Sequence, residues 1–181
     1  YSQTKTIHVF VALCDNDNQG IIPVPSSLGN GQNPKSNLYW GAMFGIKSFF
    51  RYKSDNWEYI KSLGKVDVEI LERILFKHKT KDIYLIADAY DGASIKKCTE
   101  DFLLSSNGQK KTSISYGESN LGIGGNAQLL AYIGHDGLME FDVDLTYIKS
   151  QNSDREVIIL ACASKDYFKH EISNAEAKPL L

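Results

Sequence analysis

Leu129-Leu130-Ala131-Tyr132-Ile133-Gly134-His135-Asp136-Gly137 and Val157-Ile158-Ile159-Leu160-Ala161-Cys162-Ala163-Ser164 are two versions of one pattern. In each, a short apolar run, rich in β-branched or aromatic side chains, stops at a reactive residue. A run that is apolar throughout, rather than alternating, fits a strand covered on both faces, as in a parallel sheet. Two more runs of this kind lie upstream, Ile7-His8-Val9-Phe10-Val11-Ala12-Leu13 and Ile83-Tyr84-Leu85-Ile86-Ala87.

The segments between the runs read as helices. Leu38, Met43, Phe44, Ile46, Phe49 and Phe50 recur at about helical spacing, with Asn37 placed to cap them. Val66, Ile70, Leu71, Ile74 and Leu75 share one face of a helix over residues 66–76, and Asp67 and Glu69 suit its N-terminal dipole. Ile95, Cys98, Phe102 and Leu103 form the apolar side of a third, from Ala93 to Leu104. Strands alternating with helices predict βαβ units and an α/β fold with a mostly parallel sheet flanked by helices. The four runs are expected to be neighbouring parallel strands with the first one central. Phe141 to Tyr147 alternates apolar and acidic residues and reads as an edge strand or a short helix. Gly20 to Ser36, with three prolines and several glycines, is long for a plain connection, and such loops are often functional.

The chain has 181 residues, 43% of them hydrophobic and 23% charged, which fits a single domain able to bury its own core. A net charge of −2 supplies no basic field for nucleic acid or anionic membrane, and Lys77, Lys79 and Lys81 read as a solvated loop. No stretch approaches the roughly 20 apolar residues of a spanning helix. Three cysteines, Cys14, Cys98 and Cys162, are too few for a disulfide framework, and no zinc-type spacing is present. Tyr1 in place of an initiator Met fits a removed export signal, and so an exported or periplasmic protein, or a trimmed upstream segment. Lys178-Pro179-Leu180-Leu181 reads as the start of another strand, so a C-terminal continuation is expected.

In parallel sheets, ligands and catalytic groups collect beyond the carboxyl ends of the strands. Those ends here read Cys14-Asp15-Asn16-Asp17, Asp88-Ala89-Tyr90-Asp91-Gly92, Gly134-His135-Asp136-Gly137 and Ala161-Cys162-Ala163-Ser164. A cysteine nucleophile needs a base to take its proton, and a histidine can do this and later protonate the leaving amine. His135 and Cys162 are therefore the candidate dyad. The backbone at Asp136 and Gly137 is placed to stabilise an oxyanion. Asp15, Asp88 and Asp91 are candidates for substrate recognition or loop shaping. With Asp17 and Asp136 they form an alternative acidic pocket for Mg²⁺ or Ca²⁺, although such residues more often cap helices and shape turns. Taken singly, Cys162 fits a small buried hydrophobe and His135 a polar strand terminator.

These two blocks resemble the caspase-like cysteine peptidases, the clostripain, gingipain and legumain relatives, which place a His-Gly after one strand and a Cys after the next. His135 and Cys162 are 27 residues apart (162 − 135), room for the crossover that parallel strands need. The resemblance implies a doubly wound, mostly parallel sheet flanked by helices, of caspase-like or flavodoxin-like order, peptide-bond hydrolysis by a Cys/His dyad, a peptide or protein substrate and no cofactor. Two departures stand out. Asp136 separates His135 from Gly137, and Leu160 occupies the position where clostripain-like enzymes carry the Asp that fixes basic specificity. Leu38-Tyr39-Trp40-Gly41 and Gly134-His135-Asp136-Gly137-Leu138-Met139 also resemble bacterial proteins of no assigned activity. The alternative is a non-enzymatic or small-ligand-binding α/β domain with a structural Cys162. Gly122-Ile123-Gly124-Gly125-Asn126 precedes a strand rather than following one, which favours a flexible turn, with a nucleotide-binding phosphate cradle as the weaker alternative.

Overall fold

A computed structural model describes residues 4–149 and 155–180. In chain order the elements are β1 (Lys5–Ala12), α1 (Ile46–Tyr52), β2 (Trp57–Gly64), β3 (Ile70–His78), β4 (Ile83–Tyr90), α2 (Ile95–Ser106), β5 (Lys111–Tyr116), β6 (Ser119–Gly124), β7 (Leu129–Ile133), β8 (Glu156–Leu160), α3 (Ser164–Asn174) and β9 (Lys178–Pro179). Short 3-10 turns occur at Gly92–Ser94 and Gly137–Met139.

Seven strands form one sheet in the order β2-β3-β4-β1-β7-β8-β9, and β5 pairs with β6 in a separate hairpin. The four apolar runs are the adjacent parallel strands β4, β1, β7 and β8, with β1 between β4 and β7. β3 pairs antiparallel with both β2 and β4.

The expected doubly wound, mostly parallel sheet flanked by helices is therefore overturned. The sheet is mixed, and helices are few among the described residues. The largest error is residues 66–76, read as a helix and folded mainly as β3. Ile74 and Phe76 bury on one face of that strand and Leu75 on the other. A strand covered on both faces loses its period-2 contrast, and its apolar residues then mimic helical spacing.

The second error is residues 38–50, of which only Ile46 onward is helical. A Cβ on Gly41 would overlap the carbonyl oxygens of Pro34 and Lys35, and one on Gly45 the backbone of Trp40. These close approaches wrap successive turns around Trp40. Its side chain is wholly buried, and its Nε1 donates to Glu72 Oε2 at 2.8 Å.

One face of the sheet is covered by α2 and α3, with Phe10, Phe102, Leu130, Tyr132, Val157 and Phe168 at its centre. The β5–β6 hairpin covers Leu75, Tyr84 and Ile86 with Leu121 and Ile123. On the opposite face Val9, Val11, Leu13, Leu85 and Ala87 meet Tyr39, Trp40, Ile46 and Phe50. That face has one seven-residue helix and a long loop where the sequence predicts helices.

Phe141 to Tyr147 is neither strand nor helix, and Phe141, Val143, Leu145 and Tyr147 pack on the α2–α3 side. Gly122 to Gly124 belongs to β6 rather than to a flexible turn. Lys178–Pro179 adds a two-residue strand beside β8, while Leu181 lies outside the described residues. No described helix is long and apolar enough to cross a membrane.

Candidate active site at the carboxyl edge of the sheet

Because β4, β1, β7 and β8 are parallel, their carboxyl ends reach the same edge of the sheet. Ile133 of β7 is paired with Leu160 of β8, and Gly134 N–H still donates to Leu160 O at 3.4 Å. His135 and Cys162 each lie two residues beyond that last pair, on strands about 4.8 Å apart. Ala131 and Ile133 of β7 and Ile158 of β8 pack on the face that holds Leu13 and Tyr39. His135 and Cys162 themselves lie past the ends of β7 and β8, at the same edge of the sheet.

Cys162 is an exposed free thiol, whereas Cys14 and Cys98 are buried. The next residue, Ala163, has φ of 54°, a left-handed conformation that a non-glycine residue rarely adopts. It turns the chain sharply from β8 into α3, which starts at Ser164. A helix N-terminus favours negative charge in its neighbourhood. Tyr39 is the aromatic neighbour on this side. Burial, followed by the nearby thiols of Cys14 and Cys162, pushes its hydroxyl up to about 12.

His135 is held from two directions. Its carbonyl accepts a hydrogen bond from the Tyr132 hydroxyl at 2.8 Å. Its ring Nε2 lies 2.6 Å from Glu140 Oε1, and the same oxygen accepts the Gly20 N–H at 2.6 Å. Among the described residues no hydrogen bond joins the ring to the Cys162 thiol.

Asp136 is fully buried. Its Oδ1 accepts from Leu138 N–H at 3.1 Å and its Oδ2 has no partner. Burial raises its pKa, against smaller opposing effects of the Leu138 amide and His135. Gly137 begins the following 3-10 turn, where a Cβ would overlap the Phe141 ring.

The structure brings two of the other candidate aspartates together. Gln32 Nε2 donates to Asp15 Oδ2 and to Asp91 Oδ1, both at 2.8 Å, and so bridges the ends of β1 and β4. Asp15 also accepts from the Asp17 and Asn18 amides and from the Asn18 side chain. Burial alone would raise its pKa, but these donors outweigh it and hold the carboxyl below its ordinary value. Asp91 caps the 3-10 turn through Ala93 N–H.

Asp88 sits elsewhere, inside β4 and wholly buried. Arg73 grips both its oxygens at 2.6 Å, and His8 Nε2 lies 3.0 Å from Oδ2. His8 Nδ1 accepts the Gly124 N–H, so Nε2 carries the proton that faces Asp88. No group of three or more His, Cys, Asp or Glu among the described residues is placed to hold a metal ion.

No family model, curated protein or solved structure matches this chain. Glu140, Gly20, Tyr39 and Gln32 are neighbours of the candidate residues that the sequence does not single out as site residues. Glu140 carried a usable signal, since an acid five residues after a strand-end histidine can fold back onto it through one turn. Gly20 belongs to the long loop of residues 20–36 that the sequence marks as functional, whereas Tyr39 carries no site signal of its own.

Proposed function

We infer that this chain is a cysteine peptidase of the caspase-like kind in its chemistry, with Cys162 as nucleophile and His135 as base. One observation carries the reading. The exposed Cys162 and His135 occupy equivalent steps beyond paired residues of adjacent parallel strands. The Cys162 proton passes to the imidazole as sulfur attacks the substrate carbonyl carbon. Backbone amides near Asp136 and Gly137 stabilise the oxyanion. The C–N bond then breaks, the imidazolium proton goes to the leaving amine nitrogen, and water hydrolyses the thioester. The substrate is a peptide or protein.

The runner-up is a non-enzymatic or small-ligand-binding α/β domain, favoured because no hydrogen bond among the described residues joins the His135 ring to the Cys162 thiol. Exposure of Cys162 argues against a purely packing role for that thiol.

The test is alkylation by iodoacetamide at neutral pH, followed by cleavage of a mixed peptide library. Cys162 should label fastest of the three thiols and His135→Ala should slow it about tenfold or more. Library cleavage should disappear in Cys162→Ala. Labelling of Cys162 no faster than a free cysteine, unchanged in His135→Ala, would leave the non-enzymatic reading.

A further inference from the structure

We propose that Glu140 is a positioning residue for the dyad, fixing His135 as the Nε2–H tautomer so that Nδ1 is the atom that receives the Cys162 proton. The inference rests on the proposed cysteine chemistry and assigns a third member to it.

A neutral imidazole carries one proton, and the nitrogen that bears it is set by the hydrogen bond it makes. Glu140 Oε1 lies 2.6 Å from Nε2, within the range of a charge-assisted bond. A carboxylate only accepts, so Nε2 must be the donor and Nδ1 keeps its lone pair. A dyad in which either nitrogen carried the proton at random would be competent only part of the time.

The carboxylate is itself fixed. Gly20 N–H donates to the same Oε1 at 2.6 Å, from the long loop after β1. The Glu140 backbone is anchored by its own amide, which donates to Gly137 O at 2.9 Å. The other end of the histidine is held by the Tyr132 hydroxyl on its carbonyl. The groups that bear on the ring are thus Glu140 at Nε2 and the neighbouring Asp136 carboxyl, with Cys162 on the adjacent strand end.

During alkylation the thiol proton moves to Nδ1, a sulfur–carbon bond to the acetamide forms and iodide leaves. After the step the ring is an imidazolium, and Glu140 faces its positive charge directly. The side chains at the ion pair are only 10% exposed for His135 and 33% for Glu140, so solvent screens the pair partially.

The test uses the whole chain and two readouts. The first is the nitrogen-15 spectrum of His135 at a pH where the ring is neutral. The wild type is expected to show Nε2–H, Glu140→Ala a mixture of tautomers, and Glu140→Gln the Nε2–H form again, because its amide oxygen still accepts. The second is the rate of Cys162 alkylation, expected to fall about tenfold in Glu140→Ala and to recover to within about threefold of wild type in Glu140→Gln. An Nδ1–H ring in the wild type, or an unchanged rate in Glu140→Ala alongside a slowed His135→Ala, overturns the inference. A fixed Nε2–H tautomer with no effect of His135→Ala on the rate overturns the peptidase reading instead.

Discussion

Gly20 and Glu140 lie 120 residues apart in the chain and are joined by a 2.6 Å hydrogen bond from amide to carboxylate. The bond ties the long loop after β1 to the carboxylate that lies 2.6 Å from His135 Nε2. Loop position and imidazole orientation are therefore one mechanical unit, although neither residue belongs to a strand or helix.

Gly20→Ala tests that unit. A Cβ at Gly20 would collide with Glu140 Oε1, the far end of a flexible side chain, so the carboxylate moves rather than the backbone. Cys162 alkylation is expected to slow several-fold, in the direction of Glu140→Ala. Stability in urea should change by less than about 0.5 kcal/mol, as for other exposed substitutions. An unchanged alkylation rate would separate the loop from the site.

Arg73→Met tests the buried ion pair between β3 and β4. It leaves the Asp88 carboxylate with His8 alone, and breaking a buried pair from one side costs about 3–5 kcal/mol. Burial alone would raise the Asp88 pKa, but Arg73 and His8 outweigh it and hold it below the ordinary value. A depressed folded value means that Asp88 adds stability above its unfolded pKa, near about 4. That stability is lost as pH falls through the folded value. Urea unfolding of wild type and variant should therefore converge toward low pH. A gap independent of pH would show that the loss comes from packing of the arginine stem.

Parallel pairing of the four apolar runs was legible because an uninterrupted run has few ways to bury both faces. The same property hid β3, where Ile74, Leu75 and Phe76 all bury and imitate a helix. β2 is hidden for the opposite reason: Trp57-Glu58-Tyr59-Ile60-Lys61-Ser62 is a half-exposed strand whose partner β3 itself imitates a helix. The strand-end rule brought His135 and Cys162 to one edge of the sheet, since it depends only on direction and register. It also nominated Asp88, two residues inside the observed end of β4, where its side chain meets Arg73 across the antiparallel pair. Glu140, Gly20 and Tyr39 depend on loop geometry, which hydrophobic periodicity does not encode.

Asp136→Asn probes the unpartnered carboxylate next to His135. Burial raises the Asp136 pKa, so the folded protein holds this proton more tightly than the unfolded chain does. As pH rises from the unfolded value through the folded one, the unfolded state releases the proton first and stability falls. Asparagine keeps the Oδ1 acceptor for Leu138 N–H and removes the titration. The stability difference should move in favour of the variant as pH rises from about 3 to about 7, measured by urea unfolding. A difference that is flat over that range would mean Oδ2 is solvated in solution.

Asn37→Ala probes how the loop is fastened to β1. The side chain acts on Cys14 twice: Oδ1 accepts its amide at 3.1 Å and Nδ2 donates to its carbonyl at 2.8 Å. Asn37 is itself fully buried, so both bonds are shielded from water. At about 1 kcal/mol for each bond, the closed loop loses about 2 kcal/mol. Opening at Cys14 should become about 30-fold more frequent if the loop opens locally. Burial, with Asp15 adding to it, raises the Cys14 pKa, so its labelling waits on that opening. Cys98 lies in α2 on the other side of the sheet, and burial raises its pKa as well. In Asn37→Ala, alkylation of Cys14 should accelerate toward that factor while Cys98 keeps its wild-type rate, both followed by peptide mapping. Equal acceleration at Cys14 and Cys98 would show that the substitution loosens the whole domain rather than the loop.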